Sequence, residues 1–352
     1  MRKTHLAILA VLTLVLAACG GEAADTTTTS APGTSTTAAS ETTDTTPPDS
    51  APVAAEEMTD VSLILDFVPG GIHAGIYSAL AEGYFEEANL NVDIQPPTSS
   101  ADTLRLVLAD QATIGIAPVG DVASLRAQGE PVQIFLALEQ VPLAGLMSTE
   151  AIGITDPSQL SGGTVGVTGV PSDEAIARFI LESSDVDPST VEFITIGFDA
   201  VANLIGQSVD AAIGFWSAEA VALELEGEEP VVFRPDEYGA PQYPELVFFA
   251  SDDTVTDDPD VLAAFSDALA RGYGFAMDNQ EAAIQNLADN ADGIDTEFAS
   301  AEFDNVEPHF LNEEGRFGAL EESAFTEYLE WAADVGIIES VPENLLTTEF
   351  MP

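Results

Sequence analysis

From Val61 onward, short apolar runs of strand length alternate with amphipathic stretches of helix length, and glycines mark the joins. Val61–Leu65 predicts a strand, Pro69-Gly70-Gly71 a turn, and His73–Glu82 a helix closed by Gly83. Asn91–Ile94 predicts a second strand. Ser100–Leu108 predicts a short helix with Leu104, Val107 and Leu108 on one face and Ser99 or Ser100 as its cap. Thr113–Ala117 and Val132–Leu138 predict strands on either side of a helix at Gly120–Gln128 that Gly129 closes. Strands alternating with helices predict a mostly parallel sheet with helices on both faces.

The pattern then restarts. Ala144–Met147 and Thr164–Val167 predict strands, and Gly169-Val170-Pro171-Ser172-Asp173 leads into a helix at Glu174–Leu181. Strands at Val191–Ile196, Ala211–Phe215, Val231–Arg234 and Leu246–Ala250 follow, with helices at Phe198–Gly206 and Ala218–Glu226 between them. Beyond Asp257 the spacing is helical: Asp260–Met277, Gln280–Asn290 and Asp295–Phe303, a break near His309, then Ala319–Val335. Two similar clusters and a helical tail predict two lobes, one formed by 58–141 plus 249–352 and the other by 142–248, with the two crossovers as hinge. Each lobe has a strand, a glycine turn and a helix start, at Pro69–His73 and Gly169–Asp173. In open α/β sheets the carboxyl ends of the strands and the helix N-termini face a crevice where small ligands bind.

The chain of 352 residues is 46% hydrophobic, enough for cores in more than one domain. Residues 1–57 stand outside that body. Arg2 and Lys3 precede an apolar run, Leu6–Leu16, too short for a permanent membrane helix, and Leu16-Ala17-Ala18-Cys19 follows. Residues 1–18 read as a signal peptide, and Cys19 resembles the lipidated cysteine of a bacterial lipobox. Residues 19–57 are rich in Thr, Ser and Pro and predict a disordered tether with an extended reach on the order of 100 Å. The expected setting is therefore the extracytoplasmic face of a cell membrane. Cys19 is the single cysteine, which leaves the body without a disulfide or a thiolate metal site.

Charge narrows the function further. There are 61 acidic against 8 basic residues, a formal net of −53. Apart from Arg2 and Lys3 the basic residues are Arg105, Arg126, Arg178, Arg234, Arg271 and Arg316, so the body has no lysine. Phosphates of a nucleic acid would be repelled. So would an anionic lipid surface. An acid-rich, lysine-free surface also suits salty surroundings. No P-loop, Gly-x-Ser-x-Gly elbow or His-Glu-x-x-His motif occurs, and no EF-hand pattern; neither a metal nor a cofactor is expected.

Leu65-Asp66-Phe67-Val68-Pro69, His73-Ala74-Gly75-Ile76-Tyr77 and Gly83-Tyr84-Phe85 resemble the receptors for the thiamine pyrimidine precursor. These belong to a larger group of ABC-importer receptors that includes sulfonate, nitrate and riboflavin receptors. Pro97-Thr98-Ser99, Gly115-Ile116-Ala117, Asp121-Val122-Ala123, Gly129-Glu130-Pro131-Val132 and Val165-Gly166-Val167 agree in order, and the likeness covers roughly 60–275. Gly197-Phe198-Asp199-Ala200-Val201, Phe215-Trp216-Ser217-Ala218-Glu219 and Tyr238–Glu245 resemble a subgroup with the riboflavin receptors. The resemblance implies a two-lobed periplasmic-binding-protein fold of type II. It also implies a monomeric receptor that holds a heteroaromatic vitamin or precursor between its lobes and passes it to a permease and ATPase. Sulfonate or nitrate is the alternative cargo. A related fungal pyrimidine synthase needs a lysine for pyridoxal phosphate and a cysteine-rich iron segment; beyond the expected signal peptide this chain has no lysine, and its single cysteine is the expected lipid anchor. A sensory or adhesive surface protein on this fold is a third reading.

The cleft this implies directs attention to particular residues. Asp66 at a strand end could accept from a ligand amine or cap a turn, and Phe67 could stack on a ring or join the core. His73 could donate to a ring nitrogen or carbonyl or serve structure alone, and Tyr77 shares its helix face. Asp121 starts a helix and projects toward the predicted cleft. From the other lobe come Ser172 as a ligand contact, with Asp173 complementing the helix N-terminus, Trp216 as a lid over a flat ring, and Glu219 as a partner for an amine. Tyr243, beside the second crossover, would close the pocket, and Trp331 belongs to the core.

Overall fold

The computed structural model describes residues 58–352; the expected signal peptide, Cys19 and the tether lie outside them. In chain order the first half comprises β1 (Thr59–Ile64), α1 (Ala74–Ala81), α2 (Tyr84–Glu87), β2 (Leu90–Gln95), α3 (Ser100–Leu108), β3 (Ile114–Pro118), α4 (Val119–Ala127) and β4 (Val132–Ala137). Next come β5 (Ala144–Thr149), β6 (Thr164–Val167), α5 (Pro171–Ser183), β7 (Glu192–Thr195), α6 (Ala200–Ile205), β8 (Ala211–Phe215), α7 (Glu219–Leu225) and β9 (Pro230–Phe233). The chain ends with β10 (Leu246–Ser251), α8 (Asp252–Asp257), α9 (Pro259–Asp278), α10 (Gln280–Asn290), α11 (Thr296–Val306) and α12 (Glu322–Asp334).

The strands form two five-stranded sheets, ordered β2-β1-β3-β10-β4 and β7-β6-β8-β5-β9. Helices flank both, the mixed α/β arrangement expected from the sequence. In each sheet one strand opposes the rest: β10 is antiparallel to β3 and β4, and β5 to β8 and β9. The connectivity explains this. The other strands run toward the cleft with their carboxyl ends, whereas β5 and β10 follow crossovers between the sheets. A chain entering a lobe at the cleft can only run away from it.

The two crossovers lie side by side. The Leu138 N–H donates to the Leu246 carbonyl at 2.7 Å. Glu245 Oε2 accepts from the Leu143 and Ala144 N–H groups at 3.1 and 3.2 Å. Burial pushes the Glu245 carboxyl up to about 7.

Apolar residues on both faces of the strands produce the cores. One cluster joins Leu63, Ile76, Phe135, Phe248, Phe265 and Tyr273 under α1 and α9. A second is shared between the sheets, bringing Ile64 and Phe249 together with Leu146, Ile176 and Phe325. Helix α12 belongs to this shared core: Tyr328 lies 4.1 Å from Tyr243, and Trp331 packs edge-on to Phe179 of α5 at 5.1 Å. The C-terminal tail covers the outer edge of β4. The Ile134 N–H donates to the Leu345 carbonyl at 2.8 Å and the Thr347 N–H to the Ile134 carbonyl at 2.9 Å. Such cover removes an edge that would otherwise invite foreign strands.

Sequence expectations and observed elements agree in order and differ by a few residues at the ends. Helices α2 and α8 were not expected. Gly83 closes α1 as expected and, at φ 76°, turns the chain directly into α2. Ser251 caps α8 by accepting from the Thr254 N–H at 3.0 Å, a signal concealed in an acidic stretch.

Candidate functional site

The cleft-facing turn of the first lobe begins two residues beyond β1. Gly71–His73 forms a single 3-10 turn before α1. The Gly70 N–H donates to His73 Nδ1 at 3.2 Å, which makes Nδ1 an acceptor and leaves the ring proton on Nε2. Nε2 lies 3.0 Å from Asp66 Oδ1 and donates to it. His73 is fully buried and therefore holds Asp66 in place from behind. Glu302 of α11 accepts from the Gly71 N–H, and the Tyr273 hydroxyl donates to the Ile72 carbonyl at 2.8 Å. Burial raises the Glu302 carboxyl to about 7. Gly71 is required by close approach: a Cβ there would lie 2.1 Å from the Ala299 carbonyl oxygen and 2.6 Å from the Phe303 nitrogen.

The matching turn of the second lobe, β6 to α5, is fastened differently. Asp173 Oδ2 accepts from both the N–H and the hydroxyl of Thr168, the former at 2.7 Å. Asp121, on α4 of the facing lobe, accepts from the Ser172 hydroxyl at 2.9 Å and weakly from its N–H at 3.4 Å. A carboxyl from one lobe thus caps the N-terminus of a helix in the other. Burial, then the charge of Asp173, pushes Asp121 up to about 8.

Between the turns lies a cavity of about 560 Å³, solvent at its mouth included. Asp66, Asp173 and Glu219 supply its carboxylates, and Phe67, Phe198 and Phe215 its aromatic walls. Phe67 and Phe198, from opposite lobes, meet edge to face with centroids 4.6 Å apart. Glu219 opens α7 and takes the Phe215 N–H on Oε2 at 2.7 Å. Burial, with smaller contributions from Asp173 and Asp66, raises it to about 7. No arginine lines the cavity, and each of the six is paired with an acidic side chain elsewhere.

Of the residues the sequence singled out, Asp66, Phe67 and Glu219 line this cavity. The others stand around it. His73 supports Asp66, while Ser172 and Asp121 satisfy each other across the cleft. Tyr77 is buried in the first core, its hydroxyl pushed to about 12 by burial. Tyr243 lies in the shared core against Tyr328. Trp216 is not among the lining residues: its Nε1–H donates to the Pro142 carbonyl at 2.9 Å, and its ring lies under the Arg234 guanidinium at 5.0 Å. The sequence reading gave Asp173 only a helix-end role and passed over Thr168, Phe198 and Phe215. Alternation along β8 shows that Phe215 and Trp216 face different ways but not which of them faces the cavity.

A search of known families matches residues 71–283 to the model described as NMT1/THI5 like. The chain belongs to the NMT1/THI5-like family. Among curated relatives, a formylaminopyrimidine-binding protein of Halalkalibacterium halodurans is 29% identical over 285 residues, covering 78% of this chain and 85% of that protein. A 4-amino-5-hydroxymethyl-2-methylpyrimidine phosphate synthase of Legionella pneumophila is 23% identical, covering 71% and 79%. Among solved structures, the alkanesulfonate-binding protein SsuA of Xanthomonas axonopodis pv. citri, bound to MOPS, aligns with a TM-score of 0.65 at 12% identity, over 84% of this chain and 100% of that one. That likeness shows the fold, a periplasmic-binding-protein architecture. As an NMT1/THI5-like protein the chain has both binding proteins and synthases among its relatives, and the residues of its own cleft must decide between them.

Proposed function

We propose that this protein is the solute-binding receptor of an ABC importer and captures an aminopyrimidine-type vitamin precursor between its lobes. The observation that carries the reading is the cavity itself. Three phenylalanines offer apolar faces to a flat ring, and three carboxylates accept from ring or amino N–H groups. The formylaminopyrimidine-binding relative supports the same ligand class. Closure brings Phe67 to Phe198 and Asp121 to Ser172, so a permease meeting both lobes would distinguish a loaded receptor from an open one. Cys19 would anchor the mature chain by lipid to the extracytoplasmic face of the membrane, with residues 19–57 as leash. Residues 58–352 contain no lysine and no cysteine, so the Schiff-base and thiolate chemistry of a synthase has no residue to use. A sulfonate or nitrate would meet three carboxylates and no arginine, the wrong charge complement.

A thermal-shift panel of the purified mature protein tests this directly, with aminopyrimidines, thiamine, riboflavin, taurine and nitrate. The expected result is a raised melting temperature with the aminopyrimidines. A shift with taurine or nitrate alone would overturn the ligand class, and a shift with riboflavin alone would move the receptor to flavins.

A further inference from the structure

The three cavity carboxylates share an arrangement. Each has one oxygen fixed by the protein: Asp66 Oδ1 by His73, Asp173 Oδ2 by Thr168, and Glu219 Oε2 by the Phe215 N–H. The other oxygen of Asp66 and of Asp173 accepts no hydrogen bond from the described residues, Glu219 accepts besides from its own backbone N–H, and no oxygen of the three is among the sealed, unpartnered side-chain atoms of the interior. All three residues line one cavity, so lone pairs that the protein leaves unused there are available to a ligand. Asp66 and Asp173 are more than nine-tenths buried, at 9% and 8% exposure, so their cost of desolvation must be met by a partner. The protein supplies hydrogen bonds but no arginine: His73 gives Asp66 one N–H, Thr168 gives Asp173 its N–H and hydroxyl, and every arginine is engaged elsewhere. Nor does a metal fit, because no group of three or more His, Cys, Asp or Glu among the described residues has the arrangement of an ion site.

We propose that the cleft selects its ligand as an organic cation, whose protonated amine and neighbouring N–H donors engage the unused lone pairs of Asp66, Asp173 and Glu219 while its ring lies among the phenylalanines. This rests on the receptor reading and specifies its substrate class: a flat, amino-substituted heteroaromatic bearing one positive charge. Charge-assisted hydrogen bonds of this kind are the strong ones, and in a partly desolvated cavity they reject a neutral molecule of the same shape.

Binding is then linked to protons. Glu219 feels Asp173 and Asp66, the latter already paired with His73. On the elements packed against α7, Glu302 of α11 is turned to the Gly71 N–H, Asp199 before α6 is exposed, and Arg234 after β9 is held by Asp236. No arginine or lysine among the described residues therefore offsets the cluster until a ligand brings a cation. With Glu219 raised to about 7, a cationic ligand displaces a proton from the site at neutral pH. Affinity rises with pH through that value as long as the ligand amine stays protonated.

The test compares two pyrimidines of nearly equal shape by titration calorimetry on the mature protein: one with a primary aminomethyl arm, protonated throughout, and its neutral hydroxymethyl counterpart. The expected result is at least about tenfold tighter binding of the aminomethyl compound. It is accompanied by proton release, read from binding heats in buffers of different ionisation enthalpy. Glu219→Gln and Asp173→Asn should each reduce the preference, and cooperative thermal unfolding of each variant shows separately that it folds. Equal or tighter binding of the neutral compound overturns the inference and leaves the receptor reading intact. Binding without proton release, or an undiminished preference in both variants, overturns the assignment to these carboxylates. If neither pyrimidine binds, the receptor reading fails and the inference falls with it.

Discussion

The two turns that face each other across the cleft sit at equivalent places in their sheets, after β1 and after β6, yet they are secured in opposite ways. The first is locked within its own lobe, by His73 on Asp66, by Glu302 on the Gly71 N–H and by Tyr273 on the Ile72 carbonyl. The second is completed from outside: Asp121 of the facing lobe caps the helix that Ser172 begins. One wall of the site is thus a fixed platform, while the other reaches its full set of hydrogen bonds when the lobes meet. That division suits a clamp, in which one jaw sets the ligand's position and the other reports its arrival.

Damage to the fixed jaw should be the more severe. Gly71→Ala forces a methyl group into the backbone of α11, and we expect a loss of about 3 kcal/mol or more in chemical denaturation. A loss below about 1 kcal/mol would show that the turn is not the rigid platform described. Asp121→Ala strands the Ser172 hydroxyl and N–H and should cost about 2 kcal/mol. The same change should shift small-angle scattering toward an open form, whereas Gly71→Ala should not. The most gradual effect is on pH. Asp121 has a folded value of about 8 against an ordinary 3.8, so the native state holds a proton that the unfolded chain releases. Its stabilising effect is therefore fully present below the ordinary value and is lost as pH rises through about 8. The expected slope is up to about 1.4 kcal/mol per pH unit for one such group. Asp121→Asn should flatten the melting-temperature profile between mild acid and mild alkali, and an unchanged profile would remove Asp121 from the account.

Much of this design is legible from the residues. Strand, glycine turn and helix recur at Pro69–His73 and Gly169–Asp173, and the local rules of turns and caps are enough to place both at a crevice. Asp66, Phe67 and Glu219 could be proposed because they sit at strand ends or helix starts, whose direction the fold determines. The others depended on partners distant in sequence. That Asp121 would be spent on Ser172 follows from lobe closure, which no local pattern contains. Trp216 and Phe215 are neighbours at the end of β8, and which one faces the cavity is decided by the tilt of the strand and by a carbonyl at Pro142 in the first crossover. Phe198 looked like a helix start, but it precedes α6 and turns to meet Phe67.

The tail that covers β4 bears on the order in which the molecule can assemble. All strands of the second sheet, β5 to β9, are contiguous in sequence, so that sheet can close as soon as its own segment is available. The first sheet must wait for β10 to insert between β3 and β4, and for Leu345–Thr347 to arrive at its margin. Contacts of such long sequence separation form slowly. The later-folding half of the protein is therefore the one that begins first, and until the last residues arrive it presents an unpaired strand to its surroundings.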